Sequence, residues 1–179
     1  MHAYGRYIVP KTFSSFVWVF LAAAALASSG PASSARAGEV VPFAGYQGGT
    51  IVIKTKERRL YFALGDGRAI RYPVGVGKAG QQWAGVAYVD GKYVRPDWVA
   101  PPSLRRSSTP AYVIPGGSPQ NPMGAAALTL TGGEYAIHGT NQPQSIGGFV
   151  SAGCIRMHNA DVVDLYARVA VGAPVVVTR

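Results

Sequence analysis

Hydrophobic positions along this chain change their spacing three times. Phe13 to Ala27 is an apolar run without charge, preceded by Arg6 and Lys11. From Thr50 onward the apolar residues come in short β-branched and aromatic runs: Thr50 to Lys54, Arg59 to Leu64 and Arg68 to Val76, the last two joined by Gly65-Asp66-Gly67. This predicts a meander of short strands. Ala87-Tyr88-Val89 and Lys92-Tyr93-Val94 flank Asp90-Gly91, a pair suited to the positive φ angles of a two-residue hairpin turn. Ala127 to Thr131 and Glu134 to His138 flank Gly132-Gly133 in the same manner, which puts His138 at a strand end. Only near the end does helical spacing appear, with Val162, Leu165, Tyr166 and Val169 as its core side.

That helix carries its own boundary signals. Asn159 is a good N-cap, Asp161 suits the positive end of the helix dipole, and Asp164 and Arg168 form an i,i+4 pair before the Gly172-Ala173-Pro174 stop. Val175-Val176-Val177 reads as a last strand. The expected fold is therefore mainly β, an antiparallel-rich sheet or sandwich with one packed helix in the C-terminal region. Between the hairpins, Asp97 to Met123 holds six prolines and Gly116-Gly117, so no regular element is expected there. Trp98, Tyr112 and Val113 could anchor this segment as an ordered flap.

The apolar run near the start is about 15 residues, short for a membrane span. It is followed by small residues and by Ala35-Arg36-Ala37, an Ala-x-Ala cleavage site. Residues 1–37 thus read as a secretory signal peptide, with retention as an uncleaved membrane anchor as the alternative. An exported protein is expected, in the periplasm or cell envelope. Removing the first 37 of 179 residues leaves 142, enough for one domain. Residues 38–47 are expected to be a short linker and 48–178 the folded domain.

Charge adds little. The whole chain is formally +9, and loss of Arg6, Lys11 and Arg36 leaves +6 in the mature part. A basic exported domain favours anionic envelope surfaces, but the charges are scattered and no nucleic-acid motif is present. No metal centre or cofactor is expected: outside the leader only His138 and His158 remain, with a single cysteine, whereas zinc needs three or four converging ligands.

Chemistry is concentrated at that cysteine. Secreted proteins use cysteines in pairs, so the lone Cys154 is either buried filler or reactive. It lies in Ser151-Ala152-Gly153-Cys154-Ile155-Arg156-Met157, sixteen positions after His138 in Ile137-His138-Gly139-Thr140. A thiol is a strong nucleophile only as thiolate, and a histidine can take its proton near neutral pH. Acyl transfer through a thioester is the chemistry suggested.

These two motifs, with Asn141-Gln142-Pro143, Ser145-Ile146-Gly147 and Asn159 through Val169, resemble the catalytic domain of L,D-transpeptidases, the YkuD family. The likeness extends upstream through Pro101-Pro102-Ser103-Leu104-Arg105, Pro115-Gly116-Gly117 and Asn121-Pro122-Met123-Gly124. It implies a nucleophilic Cys154, with His138 as its base and the Gly139 carbonyl orienting the imidazole. It further implies an oxyanion hole from the backbone N–H groups of Gly153 and Cys154, helped by Ala152. Ser151 is expected to brace the turn, and Arg156 either to bind a substrate carboxylate or to tie to a nearby carbonyl. Ala152 departs from the usual pattern, where a second histidine stands between serine and glycine.

The implied substrate is a peptidoglycan stem peptide, cleaved between the L-centre of meso-diaminopimelate and D-Ala, with the acyl group passed to an amine of another stem, of an envelope protein or of a free D-amino acid. Carbapenem-type inhibitors are expected to acylate the same thiol. An L,D-carboxypeptidase or amidase using water, a non-catalytic peptidoglycan-binding module and a generic cysteine protease are the competing readings.

Overall fold

The computed structural model describes residues 38–100, 111–132 and 135–179. The expected signal segment lies outside them. Among the described residues no helix is long and apolar enough to cross a membrane.

Thirteen strands and one α-helix are described: β1 (Glu39–Pro42), β2 (Ile51–Lys54), β3 (Arg59–Ala63), β4 (Arg68–Pro73), β5 (Val76–Gly77), β6 (Gly85–Val94), β7 (Trp98–Val99), β8 (Val113–Ile114), β9 (Ala126–Leu130), β10 (Ala136–His138), β11 (Phe149–Ser151), β12 (Ile155–Arg156), α1 (Asn159–Arg168) and β13 (Pro174–Thr178). Nine strands form one mixed sheet in the order β1-β4-β3-β2-β13-β6-β9-β10-β12. The meander β2-β3-β4 is antiparallel as its Gly-rich turn predicts. The last strand inserts between distant partners, parallel to β2 and antiparallel to β6. This is the antiparallel-rich β fold with one helix that the hydrophobic pattern predicts.

One face of the sheet carries the main core, with Ile51, Leu60, Tyr72, Leu128, Ile137 and Val175 all fully buried. Against it α1 presses Val162 and Leu165, both without exposure, and each such side chain contributes about 1.5–3 kcal/mol. The i,i+4 pair forms as expected, Arg168 to Asp164 at 2.8 Å. Asp164 also accepts the Tyr72 hydroxyl at 2.5 Å, tying helix to sheet.

Four local expectations are corrected. Residues 38–47 are not a linker: β1 closes the sheet edge against β4, and Phe43 stacks on Tyr61 at 4.4 Å, covering the outer face with Val41, Tyr46 and Val176. Asp90-Gly91 is not a hairpin turn. Strand β6 runs straight through it, bulging where Val89 and Gly91 face β9. A Cβ on Gly91 would lie 2.7 Å from Thr129 Oγ1, so the glycine serves close strand approach rather than a reversal.

Asn159 is not the helix N-cap. His158 holds that position, without a side-chain hydrogen bond, and Asn159 is the first helical residue. The proline-rich segment, finally, is not wholly irregular: β7 pairs with β8 within it, and Trp98 meets Tyr112 edge-on at 5.7 Å. Residues 101–110 lie outside the described chain. Prolines leave carbonyls without nearby donors, and buried Asn121 supplies them, its Nδ2 donating to the carbonyls of Pro96, Ile114 and Pro115 at 2.9–3.1 Å.

Candidate active site

Strand pairing explains how residues sixteen positions apart meet. After β10 the chain loops out, returns as β11, turns at Ala152-Gly153, and enters β12 parallel to β10. The register pairs Ile137 with Ile155 and His138 with Arg156. Alternation then sends Ile137 and Ile155 into the core, while His138, Arg156 and, one step earlier, Cys154 share the opposite face. All three line a cavity of about 330 Å³ together with Ser151 and Ala152. Trp98 and Ile114 of the β7/β8 ribbon, with Tyr112 just before β8, line it as well.

His138 is buried, and its Nδ1 lies 2.7 Å from the Gly139 carbonyl oxygen. With Nδ1–H donating there, Nε2 is left as an acceptor. Burial holds the imidazole down at about 4, against the opposing pull of the Gly139 and Pro122 carbonyls, and the Arg156 charge lowers it further. Burial pushes the Cys154 thiol up, opposed by the amides of Ala136 and of Cys154 itself and by Arg156. At neutral pH both groups are therefore uncharged. The arrangement suits proton transfer from thiol to imidazole during attack on a carbonyl, rather than a standing thiolate–imidazolium pair.

The histidine's environment has a stability consequence. An unfolded histidine binds its proton near pH 6.5, whereas this one resists until about pH 4. As pH falls between those values the unfolded state takes up more protons, so stability drops, by about 3 kcal/mol over that window. Denaturant titrations at pH 7 and pH 4 should show His138→Gln losing less stability than the parent by about that amount. Parallel losses would contradict the assignment.

Ser151 is buried beneath the turn. Its hydroxyl donates to the Cys154 carbonyl at 2.6 Å and accepts the Gly153 N–H at 3.1 Å. The second bond differs from the sequence expectation, because it occupies the Gly153 amide. Among the described residues, the amides of Cys154 and Ala152 have no backbone acceptor. Ala152 is exposed at the cavity wall, and Arg156 is half-buried, its backbone bonded both ways to Gly75 at 2.8 Å. Among the described residues no three His, Cys, Asp or Glu side chains converge as a metal site requires.

Three supporting residues were not singled out as site residues from sequence. Asn159 reaches back from α1: its Oδ1 accepts the amides of Ala125 and Thr140 at 3.1 and 3.0 Å, and its Nδ2 donates to the Thr140 carbonyl at 3.0 Å. A Cβ on Gly139 would stand 2.2 Å from that Oδ1, which explains why glycine follows His138. Asn159→Ala leaves three backbone groups unpaired and should lower stability by about 2–4 kcal/mol in thermal or denaturant unfolding. A loss under about 1 kcal/mol would show that water replaces it. Trp83 and Tyr135 stack at 5.0 Å behind Gly153. Neither has a sequence signal, since each meets the turn only through tertiary contact.

Residues 48–177 match the model of the YkuD L,D-transpeptidase catalytic domain. The chain is 41% identical over 136 residues to the probable L,D-transpeptidase ErfK/SrfK of Escherichia coli, covering 70% of this chain and 42% of that protein. It is 51% identical over 70 residues to the putative L,D-transpeptidase YqjB of Bacillus subtilis, covering 36% and 40%. The chain thus spans less than half the length of the curated relatives it matches. Among solved structures it is similar to L,D-transpeptidase 3 of Mycobacterium tuberculosis, with TM-score 0.60 at 17% identity over 73% of this chain and 60% of that one. It also resembles the E. faecium L,D-transpeptidase catalytic domain acylated by ertapenem, with TM-score 0.56 at 19% identity, covering 75% of this chain and all of that one. Domain match, curated relatives and fold agree that this chain belongs to the YkuD family of L,D-transpeptidase catalytic domains.

Proposed function

We propose that the protein is an exported L,D-transpeptidase acting on peptidoglycan tetrapeptide stems, with Cys154 as nucleophile and His138 as acid–base. The observation that carries this reading is the shared cavity in which buried His138, its Nδ1 held by the Gly139 carbonyl, stands on the same strand face as Cys154. Attack of Sγ on the carbonyl of the meso-diaminopimelate–D-Ala bond passes the thiol proton to His138 Nε2. The carbonyl oxygen becomes an oxyanion, held by the amides of Cys154 and Ala152. Collapse returns that proton to the departing D-Ala amine and leaves a thioester. An acceptor amine then attacks the thioester carbonyl, His138 takes its proton, and Sγ leaves to be reprotonated.

Arg156 supports the same substrate class. Its charge lowers the proton affinity of both His138 and Cys154, and a planar guanidinium at the cavity wall suits a stem carboxylate. The aromatic ribbon of Trp98 and Tyr112 offers an apolar wall for the peptide backbone. The acceptor is a second stem, giving a 3→3 crosslink, or the amine of an envelope protein.

The test is incubation of the purified protein with disaccharide-tetrapeptide, followed by mass spectrometry. A protein mass increased by the disaccharide-tripeptide acyl group and a crosslinked tripeptide–tetrapeptide product are expected. Disaccharide-tripeptide as the sole product would assign an L,D-carboxypeptidase instead. No release of D-Ala and no adduct would leave a peptidoglycan-binding module.

A further inference from the structure

The turn bearing Cys154 is held from behind by an aromatic pair that is far away in sequence. Trp83 Nε1 donates to the Gly153 carbonyl at 3.1 Å, across 70 positions. The indole stacks on Tyr135, nearly parallel, at 6°. Gly153 has φ +130, and a Cβ there would sit 2.2 Å from Tyr135 Cε1. The turn therefore lies directly against the pair, and only glycine both adopts this conformation and permits the approach. The loop carrying Trp83 is itself anchored to β11, Lys78 N–H donating to the Ser151 carbonyl at 2.9 Å.

The consequence concerns the next amide. A trans peptide unit is planar, with its C=O and N–H pointing in opposite directions, and no peptide bond among the described residues is cis. Fixing the Gly153 carbonyl on Trp83 therefore aims the Cys154 N–H the opposite way, toward its own sulfur. With the Gly153 amide taken by Ser151, the Cys154 amide is a principal donor left for the oxyanion.

We propose that Trp83 is a positioning residue that sets the Cys154 amide as an oxyanion donor, acting through the Gly153–Cys154 peptide plane. This rests on the reading of Cys154 as an acyl-transfer nucleophile. Its signature is selectivity for reactions that pass through a tetrahedral oxyanion. Acylation by a β-lactam does so, whereas alkylation of the same thiol by iodoacetamide is a displacement at saturated carbon and needs no such donor.

The experiment compares both rates for Cys154 in the parent protein and in Trp83→Phe, across pH 6 to 10, with a carbapenem and with iodoacetamide. Phenylalanine keeps a ring against Tyr135 and removes only the N–H. Carbapenem acylation should fall on the order of tenfold, part of the hundredfold or more that outright loss of one oxyanion donor costs. Alkylation compared at equal thiolate fraction, read from its own pH profile, should stay within about twofold, because the Cys154 amide also touches the thiolate. Trp83→His, which retains a ring N–H, should recover part of the acylation rate. Equal losses in both reactions would reduce Trp83 to a structural prop, and unchanged acylation would remove it from the mechanism. If Trp83→Phe does not fold, Tyr135→Leu is measured instead, since losing its stacking partner frees the indole from Gly153. The same selective loss is expected, and proportional losses would overturn the proposal. A parent protein that alkylates but never acylates would overturn the proposed function, and this inference with it.

Discussion

Cys154→Ala is expected to abolish acyl-enzyme formation completely while leaving the fold intact. The thiol lies at a cavity wall, half-buried, and is unpaired by any disulfide. Removing one sulfur there enlarges an existing cavity instead of opening a void in the packed core, so the usual cavity cost is small. Ser151 cannot substitute as nucleophile, because its hydroxyl is buried and committed on both sides to the turn it braces. The variant should melt within a few degrees of the parent and show no mass increase with disaccharide-tetrapeptide or with a carbapenem. An acylated Cys154→Ala protein would displace the nucleophile to another residue.

His138→Gln is expected to slow carbapenem acylation at pH 7 by on the order of a hundredfold or more, the usual worth of a positioned acid–base group. Glutamine cannot take the thiol proton, and burial raises the thiol's pKa above its ordinary value. Direct ionisation should rescue part of the rate, only at a pH higher than an exposed cysteine would need. The parent profile differs. With the imidazole held down at about 4, the base is already unprotonated at pH 6, so the rate should hold from neutral pH down toward pH 5 before it falls. A midpoint near 6.5 would show the site to be wetter than its burial implies. An unchanged rate in His138→Gln at pH 7 would mean that another group activates the thiol.

If both outcomes hold, what distinguishes this site is economy of charge. Neither member of the resting pair is ionised, and the one cation lining the cavity, among the described residues, is Arg156. Charge develops only during attack, against donors already placed by Ser151, the β10/β12 register and the peptide plane behind Cys154. Preorganisation of this kind lowers the barrier without a separate cost of reorienting dipoles during the reaction.

The sequence alone determined the elements whose cause is local. Period-two runs around Gly65-Asp66-Gly67 and Gly132-Gly133 specify the β2-β3-β4 meander and the β9/β10 hairpin, because alternation and turn chemistry act over a few residues. Helical spacing from Val162 to Val169 specifies α1, and the His138 and Cys154 motifs specify the candidate chemistry. Tertiary structure decided whatever depends on partners distant in sequence. Strand β13 lies between β2 and β6, the Asp90-Gly91 pair bulges because β9 lies alongside it, and residues 39–42 join β4. Asn159, a cap by composition, turns its amide toward Ala125 and Thr140 because their unpaired backbone groups are brought beside it. Trp83 reaches Gly153 for the same reason. A hydrogen bond or a packed ring answers to the group nearest in space, and no local pattern records which group that will be.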